Sequence, residues 1–244
     1  MLDLINKSIA ETRGNFTKVT KYVLHSYNNY TLLLDTNSMV DRCILKEGDW
    51  EADSWKMFSE EILKNGAEDR IVFIDIGSYF GLYAIKAHQI GFKEIHAFEA
   101  DHDNFIQLSA NILLNSLFDE INCHNVFLSN TNEKLAIVNS TNIPDNRGMA
   151  GSITENSDDA IKMEGTPLDE VLRIKGKFIA IKIDVEGNEG RVLEGGIDLL
   201  SNNKVLLLIE NLKFLNINHG LLKKLGFTLI TISSKDQNEI WKNY

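Results

Sequence analysis

The 244-residue chain is 43% hydrophobic, enough for one sizeable α/β core with a short extension, and its two prolines argue against a flexible linker. Its 35 acidic against 25 basic residues leave a net charge of −10. That balance opposes docking on a nucleic-acid backbone or an anionic membrane.

The first fifteen residues carry Asp3 and Glu11 and no sustained apolar stretch, unlike a signal peptide, and no run is long enough to span a bilayer. Cys43 and Cys123 stand alone, outside any zinc or disulfide pattern, which suits a reducing compartment. A cytoplasmic protein is the expectation. Leu2, Ile5 and Ile9 suggest a short amphipathic helix, and residues 18–25 and 30–34 a hairpin. Residues 50–63 read as a helix with Trp55, Phe58, Ile62 and Leu63 on one face. Residues 1–70 are thus expected as an N-terminal α/β extension, a lid or flank on a main domain of residues 71–244.

That domain opens with a buried strand over residues 71–76, a turn bracketed by Gly77 and Gly81, and a helix from Leu82 that Gly91 ends. Such a unit aims backbone N–H groups and a helix N-terminus at the carboxyl edge of a sheet, where open α/β folds bind ligands. In the turn of Gly77, Ser78, Tyr79 and Gly81, Tyr79 stands where a dinucleotide fingerprint needs its second glycine, and a phenol there blocks a pyrophosphate. Asp75 would repel phosphate but accept hydrogen bonds from an ammonium group. An amino-acid ligand without pyrophosphate fits better, and S-adenosyl-L-methionine is one, its sulfonium suited to an acidic site.

The next strand, residues 94–98, ends in Glu99, placed to take both hydroxyls of a ribose. A plainer alternative is that Asp75 and Glu99 only cap helices. Residues 103–115 form a helix with Phe105, Leu108 and Ile112 on one stripe and Asp101 or Asp103 as N-cap. Residues 121–125 make a third strand whose end, Asn125, Val126 and on to Ser129, would lie beside an adenine, with ordinary strand-end polarity as the alternative. Residues 130–165 break the rhythm: 135–138 suit an extra strand, and 139–159 have loop composition, read as a cover on the substrate side or a mobile segment. At residues 166–169 Thr166 is expected to cap a helix with Pro167 at its first position.

Residues 178–187, FIAIKIDVEG, read as a second buried strand in which Lys182 and Asp184 share a face and Glu186 follows. Charges in such a strand are costly unless paired or used. A helix over 188–200, a strand over 205–209 ending in Glu210 and Asn211, a helix over 219–225 and an antiparallel pair, 227–232 with 239–241, complete the chain.

Three stretches resemble the FkbM family of class I S-adenosylmethionine-dependent methyltransferases: IDIGSYFGLYAI, HAFEADHDNF and IKIDVEGNEGRVLEGG, with residues 165–172 fitting the segment before the last. The Lys-Ile-Asp-Val-Glu-Gly run is the specific part. Ser78, Tyr79 and Ala100 depart from the family pattern, and neither departure removes a carboxylate. The resemblance implies a Rossmann-like, doubly wound, mostly parallel seven-stranded sheet with an antiparallel C-terminal hairpin. It also implies O-methylation of a hydroxyl on a sugar, glycan or secondary metabolite. In that arrangement Asp184 faces the methyl and, with Glu210 and Asn211, resembles the Mg²⁺ ligand set of metal-dependent O-methyltransferases. Without metal, Glu186 or His219 is the general base and Lys182 neutralises Asp184. An NAD-linked Rossmann oxidoreductase and a catalytically silent cofactor-binding scaffold remain as alternatives.

Overall fold

The computed structural model describes residues 21–64, 71–151, 160–210 and 219–244. The expected N-terminal helix lies outside these, as do Asn211 and residues 152–159 of the expected loop.

The chain enters through a hairpin, β1 (Tyr22–Tyr27) and β2 (Tyr30–Asp35), turned by Asn28 in the left-handed region (φ 51°), a conformation asparagine tolerates. Helix α1 (Met39–Glu47) follows, closed by Gly48, and then α2 (Ala52–Lys64). The chain then runs β3 (Ile71–Ile76), α3 (Leu82–Gln89), β4 (Glu94–Phe98), α4 (His102–Leu114), β5 (Ile121–His124), β6 (Phe127–Leu128), β7 (Lys134–Ile137) and β8 (Ile161–Thr166). It continues with α5 (Leu168–Val171), β9 (Phe178–Ile183), α6 (Glu189–Gly195), α7 (Ile197–Ser201), β10 (Lys204–Glu210), α8 (His219–Lys224), β11 (Thr228–Ile232) and β12 (Asn238–Lys242).

Seven strands form one sheet in the order β11-β12-β10-β9-β3-β4-β5. The five strands from β10 to β5 are parallel, and β12 runs antiparallel to both β10 and β11. The doubly wound, mostly parallel expectation is met, hairpin included. Strand order reverses between β3 and β9, so their carboxyl ends open a crevice between diverging connections. Alternation along β3 explains the two-sided core. Phe73 packs with Phe58, Leu32, Ile44 and Leu108 on one face, while Val72, Ile74 and Ile76 pack with Ile181, Val192 and Leu207 on the other. Residues from the N-terminal elements therefore share a hydrophobic cluster with the sheet.

Three local expectations change. Thr166 ends β8 rather than capping a helix, because its carbonyl accepts from the Ser129 N–H (3.0 Å) in a small sheet of β6, β8 and β7; Pro167 precedes a single helical turn. The helix expected over 188–200 breaks into α6 and α7 at Gly196. Its neighbour Gly195 lies so close to the Ser129 carbonyl that a Cβ would stand 2.1 Å from that oxygen. Helix α1 is additional.

Candidate active site

The turn after β3 is built by close approach. Gly77 (φ 80°) runs against the end of β9, where a Cβ would sit 1.7 Å from the Asp184 carbonyl oxygen, so only glycine fits. The Gly77 and Ser78 N–H groups both donate to the Phe98 carbonyl (3.0 and 2.9 Å), tying the turn to the end of β4. There Glu99, 4% exposed, accepts from the Tyr79 N–H through Oε2 and from the Asp101 N–H through Oε1, each at 2.8 Å. Each oxygen keeps a further lone pair for a ligand hydroxyl. Burial pushes the Glu99 carboxyl up to about 8 against these two donors. Tyr79 (φ 51°) turns its ring toward α1, donates from its hydroxyl to Asp41 Oδ2 (2.6 Å) and lies 2.7 Å from Ser38 Oγ.

Two to three strand spacings away, roughly 10–14 Å along the sheet edge, the ends of β9 and β10 bring together Lys182, Asp184, Glu186 and Glu210. Lys182 Nζ is 2.9 Å from Asp184 Oδ2 and 4.8 Å from the centre of the Tyr83 ring. Asp184, Glu186 and Glu210 each offer an oxygen within 4.8 Å of the others. Burial alone would lower the Lys182 ammonium, but Asp184, Asp75 and Glu51 hold it above its usual range. Burial likewise opposes ionisation of Asp184, yet Lys182 and a hydrogen bond from Glu210 keep it low, while burial and Asp184 raise Glu210. The pair therefore shares a proton carried by Glu210. Burial, then Asp184 and Glu189, push Glu186 up to about 7. Glu186 (φ 53°) is held in its left-handed turn by Glu189, whose carboxylate accepts from the Val185 and Gly187 N–H groups at 3.1 Å.

A cavity of about 210 Å³ joins these two ends. Its lining includes Gly77, Ser78, Tyr79, Glu99, Ala100, Val126, Lys182, Asp184, Glu186 and Glu210, so most of the expected site converges there. Others do not. Asp75, fully buried, lies behind the turn rather than at the cavity: its Oδ2 accepts from the Ala84 N–H (3.1 Å), and it pairs across the sheet with Lys182. It caps α3, and burial pushes it up to about 6. Gly81 is likewise behind the wall, starting α3 where a Cβ would meet Leu108 at 2.5 Å. Asn125 props the Glu99 loop from outside, donating to the Glu99 and Ala100 carbonyls (2.9 and 3.0 Å), and Ser129 is fully buried beside β8. His219 belongs to the other face of the sheet, 2.9 Å from Glu239 and packed on Trp241, and does not reach the cavity. Asn211 lies outside the described residues.

Several lining residues are not among the site residues expected from the sequence. Glu51 (φ 50°) interrupts the helix expected from residue 50; it accepts from the Tyr83 hydroxyl (2.8 Å) and the Asn238 amide (3.2 Å). Together with Met39, Val40 and Trp50, it makes the N-terminal elements one wall of the cavity. Glu51, Tyr79 and Glu186 are three non-glycine residues at positive φ on one cavity, each costing on the order of 1 kcal/mol or more, a concentration typical of functional sites. Asn146, Gly148, Ala150 and Gly151 close the Glu99 side, and Gly151 lies beside Ala100. Between them Arg147, 1% exposed, is anchored on Asp35 (3.0 Å) and Gln107 (3.2 Å). The described part of the expected substrate-side cover, residues 139–151, thus borders the Glu99 end of the cavity instead of the Asp184 end.

Residues 75–229 match the family described as the methyltransferase FkbM domain. No curated protein matches the sequence. Among solved structures, the chain is similar to the ribosomal protein L11 methylase of Lactobacillus delbrueckii subsp. bulgaricus (14% identity, TM-score 0.42, 77% of this chain and 76% of that one). It is also similar to the N-terminal domain of human METTL16 in complex with SAH (13%, 0.45, 77% and 66%) and to the human methyltransferase 10 domain containing protein (12%, 0.47, 80% and 82%). Among the described residues no helix is long and apolar enough to cross a membrane.

Proposed function

The chain belongs to the FkbM methyltransferase family, a family of S-adenosylmethionine-dependent enzymes, and on that premise we propose that it methylates a hydroxyl oxygen of a neutral sugar or secondary metabolite. The carrying observation is the grouping of Asp184, Glu186 and Glu210 around one ammonium, Lys182, in a cavity whose far end presents Glu99.

The cofactor's chemistry fits the residues present: Glu99, fixed by two backbone donors, suits a pair of ribose hydroxyls. S-adenosylmethionine supplies an electrophilic methyl on a sulfonium. The chain's own task is to hold the acceptor oxygen in line and remove its proton. Glu186 takes that proton, because its carboxyl, pushed up to about 7, is part ionised near neutrality and a competent base. Lys182 holds Asp184 ionised, and the Glu210 carboxyl donates to Asp184, so the pair fixes the floor on which the hydroxyl rests. With Glu51 on the facing wall, the acidic surround disfavours phosphate-bearing acceptors.

A second reading has a specific observation behind it: Asp184, Glu186 and Glu210 are hard oxygen donors close enough together to suit Mg²⁺. Lys182 already sets a cation against Asp184, which favours the metal-free form. The test is methyl transfer to a panel of neutral sugars and polyols against their phosphorylated counterparts, read by mass, with and without chelator. Transfer to neutral hydroxyls unaffected by chelator is expected. Transfer only to phosphorylated acceptors would overturn the substrate class, and loss with chelator the metal-free form.

A further inference from the structure

We infer that Asn188 reads the adenine of the cofactor, its Oδ1 accepting a hydrogen bond from the exocyclic amino group and so selecting adenosyl over other nucleosyl compounds. The inference rests on S-adenosylmethionine as cofactor and concerns a residue outside the machinery described above.

Asn188 is 1% exposed and lines the cavity. Its Nδ2 donates to the Leu128 carbonyl at 2.7 Å, which fixes the plane of the amide and directs Oδ1 away from that partner. Oδ1 then has no hydrogen-bond partner among the described residues, although it is shielded from solvent. A buried carbonyl oxygen left in that state is costly and calls for a donor, an ordered water or a ligand; this one belongs to a cavity-lining residue, where a ligand can supply it.

The surroundings say which donor. Leu128 lies in β6, which follows β5, the strand beside β4 whose end leads into Glu99, so the Asn188 amide is anchored to the segment leaving that side of the sheet. The neighbouring wall, Ala100, Val126, Phe127, Leu128 and Val185, is apolar and suits the faces of a flat base. Adenine carries one hydrogen-bond donor on its edge, the N6 amino group, beside ring acceptors. Hypoxanthine differs by a carbonyl at that position, which would set one acceptor against another. Asn125 and Ser129, which strand-end position alone suggests for this role, do not line the cavity, whereas Asn188 reaches it from the start of α6.

Calorimetry with S-adenosylhomocysteine and S-inosylhomocysteine tests this without turnover. The unmodified protein is expected to prefer the adenosyl compound by about tenfold or more, the scale of a buried hydrogen-bond mismatch. N188A and N188L, which both remove the acceptor and need only one to fold, are expected to narrow that preference to roughly threefold or less. Their adenosyl binding persists, because the Glu99 contacts remain. Equal affinity of the unmodified protein for the two compounds, or an undiminished preference in a folded variant, would overturn the assignment. Failure of the unmodified protein to bind either compound would instead remove the cofactor reading, and the assignment with it.

Discussion

Glu186 has a pH signature that substitution can assign to it. Its carboxyl titrates near 7 because burial, Asp184 and Glu189 all oppose its charge, so kcat/KM should rise with pH through that value and level off above it. Replacing Glu186 by Gln removes the base while keeping the shape, and should cost about 10²–10⁴-fold in kcat and flatten the rise. Asp184→Asn gives the sharper test. With their oxygens within 4.8 Å and an effective dielectric constant of about 20, a unit charge on Asp184 opposes ionisation of Glu186 by about 3.5 kcal/mol or more, roughly 2.5 pH units. Lys182, 2.9 Å from the same carboxylate, cancels much of this. The residual rise in D184N should move to lower pH by roughly one unit, whatever the fall in rate. Stopped-point assays with labelled S-adenosylmethionine from pH 5 to 9 give both curves. An E186Q enzyme that retains the rise, or a D184N rise unmoved or shifted upward, would refute the role given to Glu186.

Arg147→Met leaves the fully buried Asp35 with the half-exposed Lys21 (2.7 Å) as its remaining cation and the Asn37 N–H (3.0 Å) as a neutral donor. It should cost on the order of 2–4 kcal/mol in urea unfolding and weaken S-adenosylhomocysteine binding, since the wall from Asn146 to Gly151 loses its anchor; unchanged affinity would show that the wall stands without it. For Glu99 the folded carboxyl titrates near 8, above an unfolded value near 4.5. Its stabilising balance is therefore complete below about pH 4.5 and lost as pH rises through 8. Glu99→Gln should gain melting temperature over the unmodified protein at pH 9 but not at pH 5, measured without ligand, and a gain at pH 5 alone would contradict this.

Where pattern is local, the sequence was readable. Strands β3 and β9 declare themselves as apolar runs because both faces are covered, and Gly77 and Glu99 follow from strand-end position. Lys182 and Asp184, out of place in such a run, do pair. What failed depends on partners far along the chain. Arg147 sits in a stretch of loop composition yet is buried, because Asp35 and Gln107, 112 and 40 residues away, receive it. Asp75 looked like a ligand-binding acid, but its depth behind Gly77 turns it into the cap of α3, an alternative its position already allowed. The left-handed backbone of Glu51 and Glu186 comes from tertiary packing and leaves no composition signal. His219 is kept from the cavity by the side of the sheet on which α8 packs, and the weak alternation of β8 hides the small third sheet.

The most direct measurement is a ¹³C NMR spectrum of the product formed from S-adenosylmethionine labelled in its methyl group and a neutral polyhydroxylated acceptor. A single new methoxyl carbon, absent with E186Q, is the predicted result. A methyl found on nitrogen or carbon, or no transfer to any hydroxyl while the cofactor binds, would contradict the chemistry assigned to the Asp184, Glu186 and Glu210 end of the cavity.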